Sequence, residues 1–181
     1  MTDGVAYIEK VVTAMRTDPE VVALFPERLQ GLAPFYIPGH KLYISTELTK
    51  QNVDQIFKEQ KYPLIALLMD YPEQPLNGLI TYNFHIVILN LTEANYTIQQ
   101  RYEVNFRPLL QPLYEKFISI LIRVGKFVWT GDRGNPPHSK VDRPYWGVVY
   151  EQGNAKYVFN DRLDAIEITD LRLSKTIKNC E

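Results

Sequence analysis

The run FNDRLDAIEITDLRLSKTIKNC, residues 159–180, reads as a closing strand whose apolar residues change face partway along. Side chains alternate with period two in a strand, so Ile166 and Ile168 point one way. Leu171 and Leu173 fall in the opposite phase, because the alternation slips by one residue around Thr169 and Asp170. A one-residue slip turns every following side chain over. The reading is a bulge or turn-over point. It places Ile166 and Ile168 under a helix, and turns Leu171 and Leu173 toward a different surface, in this chain or in a neighbouring subunit.

A strand of this kind needs a sheet to join, and the preceding segments supply one. YWGVVYEQGNAKYVF (145–159) predicts two strands joined at QGN, and YPLIALLMDY (62–71) is the continuous apolar run of a strand buried on both faces. LITYNFHIVILNL (79–91) alternates, with Ile80, Tyr82, Phe84, Ile86 and Ile88 on one face. With the LNG turn between them, the last two form a central antiparallel hairpin. Residues 92–125 keep one helical phase through Ile98, Tyr102, Phe106, Leu109, Leu113, Phe117, Ile120 and Val124. Pro108 and Pro112 predict a kink or a break within that long helix, and Gly125 its end.

At the other end, Val5, Ile8, Val12 and Met15 give an amphipathic helix that Asp3 can cap. Asp18 and Pro19 then start a short helical turn. Proline and glycine between Pro26 and Gly39 predict an extended loop packed by Phe35, Tyr36 and Ile37. KLYIS (41–45) follows as a short strand, and Thr46 or Thr49 caps a small helix with Val53, Ile56 and Phe57 on its apolar side. The sum is one α+β domain over 1–181, a mostly antiparallel sheet packed on one face by the long helix and the N-terminal helix. Long loops span about 26–40 and 129–144.

Composition bounds the function classes. A 181-residue chain with 45% hydrophobic residues can bury a sizeable core, and 20 Lys+Arg against 21 Asp+Glu demand no polyanionic partner. A single cysteine, Cys180, excludes an intrachain disulfide framework and a cysteine-rich zinc site. The N-terminus MTDGVAYIEKVV has no basic segment ahead of an apolar one, and no run reaches the roughly 18 apolar residues of a membrane span. The expectation is a soluble, cytosol-made protein that does not engage a membrane.

Chemical punctuation is sparse. GDRGNPPHSK has glycines and a basic end but not the spacing of a phosphate-cradling loop, and no GxSxG appears. His40, His85 and His138 lie on separate elements, so no metal and no cofactor is expected. His85 shares a strand face with Thr81 and Asn83, which suits a polar sheet surface or an oligomer contact. Asp161, Asp164, Glu167 and Asp170 alternate rather than converge, and read as surface or interface charge before a divalent-ion site. An enzyme is not expected. Lys126, Arg133, Lys140 and Arg143 near Trp129 leave a small nucleic-acid-binding module as the alternative, with Arg133, Lys140 and Arg143 facing DNA. The 12 tyrosines, Tyr36 among them, suit subunit contacts.

DPEVVALFPERL (18–29), the central hairpin, the long helix and DAIEITDLRL (164–173) together resemble the tail-terminator and head-to-tail joining proteins of tailed bacteriophages. FNDRLDAIEITDLRL (159–173) is similar in wording to tail-completion proteins of phages and prophages. The resemblance implies a structural virion protein that assembles as a homo-oligomeric ring, at the tail-tube end or in the neck, with a channel for DNA. It implies contacts to itself and to neck, portal-side or tail-tube proteins, with non-specific contact to genomic DNA at most, and a place in the host cytoplasm during assembly. No catalytic residues carry over. GLAPFYIPGHKLY (31–43) and TGDRGNPPHSKVDRP (130–144) are longer than that pattern, which leaves terminator and neck adaptor both open. Leu171, Leu173, Asp170, His85 and Tyr36 are the subunit-interface candidates.

Overall fold

A computed structural model describes residues 4–25, 33–50, 61–76, 78–130, 134–151, 154–159 and 161–176. Its centre is β4 (Leu79–Leu91), which pairs with β8 (Leu163–Thr176) on one side and with both β2 (Leu64–Leu68) and β3 (Glu73–Leu76) on the other. β1 (Phe35–Gly39) extends the sheet beyond β2 and β5 (Ser139–Trp146) extends it beyond β8. Only β1 and β2 run parallel, so the α+β class with a mostly antiparallel sheet holds. The expected hairpin is present, but β3 is interposed in the connection between its two long strands.

The phase slip of the last strand is a β-bulge. Phe84 faces Leu171 and Ile86 faces Ile168, so the single residue His85 opposes Thr169 and Asp170 together. Asp170 has a φ of 55°, in the left-handed region. One extra residue on β8 restores the phase instead of inverting it. Ile166, Ile168, Leu171 and Leu173 therefore all point to the same side, each 0% exposed in one cluster. This corrects the expectation for Leu171 and Leu173, which meet no second surface and pack in the core beside Phe84 and Phe117.

That core lies under the helices. α1 (Gly4–Arg16) buries Ile8, Val11, Val12 and Met15, and α2 (Pro19–Ala23) starts on Asp18, which accepts from the Glu20 amide. The long helix is continuous but changes type. α4 (Ile98–Arg101) opens with a capping box of Thr97 and Gln100, a π-helical segment follows over Tyr102–Leu110, and α5 (Gln111–Gly125) completes it. Pro108 has no N–H and its ring clashes with an α-helical carbonyl one turn back. The wider π spacing, with the Gln111 N–H bonded to Phe106 O, carries the chain past it without a break.

The opposite sheet face is half covered. Leu64, Ala66, Leu68, Val87, Leu89, Leu163 and Ala165 form a second cluster with Tyr62 and with Ile44 and Leu48 of α3 (Lys41–Lys50). Here two expectations fail. Residues 35–39 are a strand instead of a loop, because their backbone groups pair with β2. KLYIS is helical instead of extended: Ile44 and Leu48, one helical turn apart, are buried while Leu42 is 71% exposed, which strand alternation with Ile44 would not allow. His40 begins this helix, its Nδ1 accepting from the Leu42 amide, and Thr46 and Thr49 lie within the helix. Val53, Ile56, Phe57 and residues 26–32 lie outside the described residues.

β6 (Val148–Glu151) and β7 (Asn154–Tyr157) form a separate two-stranded sheet. Gly147, at φ 80°, lets the chain turn out of β5, and an added Cβ there would strike the Phe159 ring. The Val158 amide closes the base on Gly147 O, and Trp146 stacks on Phe159 at 5.0 Å.

Candidate functional site

The acidic residues of β8 and its approach go to four different places. Asp161 is buried, accepting from Lys61 Nζ at 2.8 Å and from Tyr62 OH at 2.9 Å, while Lys61 also donates to Leu48 O. Burial, and then the Asp161 charge, push the Tyr62 phenol far above its ordinary value, so it serves as a donor at any working pH. Asp164 is 0% exposed and is the centre of a larger network. Arg101 Nη1 donates to its Oδ1 at 2.8 Å, Asn105 Nδ2 to its Oδ2 at 3.0 Å, and the Tyr145 amide to Oδ1 at 3.1 Å.

Arg101 is itself 0% exposed and ties the loop before its helix to the sheet. It donates to Tyr96 O, Glu93 O and Thr92 Oγ1, and the Tyr145 ring lies 3.6 Å from its guanidinium carbon. Asp161 and Asp164 are thus buried partners of cations, which corrects the reading of this group as surface or interface charge. Carboxylates held this way act as fixed charges that bind cationic side chains.

Glu167 is half-buried on the other sheet face. It accepts from Arg143 Nε and Trp146 Nε1, both at 2.9 Å. Burial alone would raise its carboxyl, but the two hydrogen bonds and the Arg143 and His85 charges outweigh it, so Glu167 titrates below its ordinary 4.5. A lowered folded value means that this stabilisation is complete above the ordinary value and is lost as pH falls through the folded one. Urea midpoints compared below pH 4.5 are expected to fall less steeply in Glu167→Gln than in the wild type. Parallel curves would remove Glu167 from the acid response.

Lys140 and Arg143, expected in a loop, lie on β5, and Lys126 caps the long helix. Lys140 pairs with Asp142 at 2.7 Å and sits over the Tyr114 ring, and Arg143 pairs with Glu167. Tyr114 OH in turn meets His138 Nε2 at 2.7 Å, with His138 Nδ1 donating to Pro136 O. The strand forms because β8 offers a free edge from Leu163 to Thr169, so the 129–144 loop is shorter than expected. Arg133 and Cys180 lie outside the described residues.

Of the interface candidates, Leu171 and Leu173 lie together in the core with Tyr36 packed against the same cluster, and Asp170 and His85 oppose each other across the bulge on the sheet face opposite α1 and α5. Asp170 is exposed there and His85 half-buried. Tyr36 is in β1, where its hydroxyl donates to Val5 O at 3.1 Å and holds that strand to α1. Among the described residues no group of three His, Cys, Asp or Glu could hold a metal ion, and no helix is long and apolar enough to cross a membrane.

Sequence reasoning missed Arg101 and Asn105, though a signal existed. Asp164 is in phase with Ile166 and Ile168, so it enters the core and requires a cation opposite. Compared with family models, curated proteins and solved structures, the chain finds no match in any of the three.

Proposed function

We propose that this protein is a structural subunit of a tailed-phage virion, a tail-terminator or neck protein that closes into a homo-oligomeric ring around a channel for DNA. The wording of FNDRLDAIEITDLRL and the order of elements support the family. The observation that carries assembly is the β6–β7 ribbon. Two-stranded ribbons are marginal in water without a surface to pack on, and this one stands apart from the main sheet with Val149 of β6 41% exposed and Val158, just past β7, 49% exposed. A neighbouring subunit supplies such a surface.

The sheet edges suit that role less well. β5 carries Lys140, Arg143, Pro144 and a register shift between Arg143 and Trp146, and β1 is five residues long with Pro38. These are the features by which edge strands avoid pairing with another chain. A head-to-tail contact through the ribbon is heterologous and closes a ring by rotation. Sedimentation and negative-stain microscopy, with the protein alone and with tail-tube or neck components, are expected to give a ring-sized species. Replacing 148–157 by a short Gly linker is expected to abolish it while the far-UV signal of the helices persists. A protein that stays monomeric beside every other virion component would sink the reading.

A further inference from the structure

The half of the outer sheet face that α3 leaves uncovered holds a cleft of about 320 Å³. Its polar walls are Gln74 of β3, Thr81 and Asn83 of β4, Arg172 and Ser174 of β8, and Thr130 beyond the bridge from Val128 to Ser174. The register explains the convergence, since Thr81 faces Ser174 and Gln74, and Asn83 faces Arg172. The bulge contributes as well. By turning Leu171 and Leu173 inward it turns Arg172 and Ser174 outward, into the cleft.

The chemistry of these groups has one sign. Among the described residues, Arg172 is exposed and makes no ion pair, and no carboxylate lines the cleft. Thr81 Oγ1 and Ser174 Oγ lie 2.8 Å apart, so one hydroxyl donates to the other and the second proton is left for a ligand. Asn83 also lines the cleft, and its amide carries an NH₂ group that can donate to an anion. A forked guanidinium beside neutral donors is the arrangement that binds an oxyanion through charge-assisted hydrogen bonds.

We propose that this cleft is a binding site for a single small oxyanion, a carboxylate or a phosphate group, anchored by Arg172 and oriented by Asn83 and the Thr81–Ser174 hydroxyl pair. One cation in a cleft of this size suits one anionic group. A nucleic-acid strand would need several phosphates neutralised along a track.

Calorimetric titration of the full chain at constant ionic strength tests this, with inorganic phosphate in one arm and succinate in the other. Saturable binding of at least one anion is expected, with a dissociation constant of about 1 mM or tighter. Binding confined to phosphate identifies a tetrahedral group, and binding confined to succinate a planar carboxylate. Arg172→Gln, at an exposed position, is expected to weaken binding about tenfold or more, and Thr81→Val to weaken it less. Circular dichroism of each variant is expected to match the wild type. Failure of both anions to saturate, or equal affinity in Arg172→Gln, would overturn the assignment.

Discussion

Arg101→Met is expected to destabilise the protein by about 3–5 kcal/mol, far more than loss of any exposed charge. The guanidinium is 0% exposed, and three of its nitrogens are engaged by Asp164, Thr92, Tyr96 and Glu93. Methionine fills much of the same volume but supplies none of those donors. It leaves the Asp164 carboxylate in the core with Asn105 and the Tyr145 amide as its remaining partners. A buried charge without its counter-ion is the costly state, so the double variant Arg101→Met, Asp164→Leu is expected to recover part of the loss. Equilibrium urea unfolding of both variants measures it. A single-variant loss below about 1 kcal/mol would put this pair in the range of surface ion pairs.

The second large effect belongs to the bulge. Leu171→Ala and Leu173→Ala are each expected to cost about 2–5 kcal/mol, the range for truncating a buried leucine. Arg172→Ala, between them in sequence but on the open face, is expected to stay within about 0.5 kcal/mol. Deleting Asp170 restores strict alternation. That deletion removes the bulge and leaves Ile166, Ile168, Leu171 and Leu173 in one phase on the core side, so the variant is expected to fold with the same residues buried. Asp170→Gly keeps the count of residues and relieves a φ of 55°, so it is expected to fold normally. A deletion variant that fails to fold, or alanine variants that unfold at the wild-type urea concentration, would mean that the strand is held by something other than this register.

Both results bear on how the chain is built. In a purely alternating strand, fourteen residues would present one apolar side throughout, and β8 achieves this with one residue too many. The extra residue is absorbed where β4 offers His85 alone. The same event sets the outer face, because Arg172 and Ser174 arrive beside Asn83 and Thr81 only after the shift. Core packing and the oxyanion cleft are therefore two sides of one irregularity.

Periodicity made much of the architecture readable. The alternation of residues 79–91, the unbroken apolar run of β2 and the helical phase of α1 and α5 each follow from side chains repeating at the period of their element. The Asp18 cap was readable for the same local reason, as a short side chain that reaches an amide two residues on. Helix α3 was not. Its apolar residues are few, and Ile44 and Leu48 acquire meaning only when the sheet face they cover exists. Nor could alternation alone tell a bulge from a turn-over at Asp170, since both produce the same slip along one strand.

Local chemistry thus settled the type of the strongly periodic segments, β2, β4, α1 and α5, because their choice depends on neighbours within a turn or a pleat, and it did not settle β1, α3 or β5. The partner of each strand, the destination of Leu171 and Leu173, and the pairing of Asp161 with Lys61 and Asp164 with Arg101 were decided by tertiary structure. These contacts join residues about 60 to 100 positions apart, and a buried carboxylate finds its cation by position in space. A sequence can show that such a charge enters the core. Only the packed sheet and helix show what meets it.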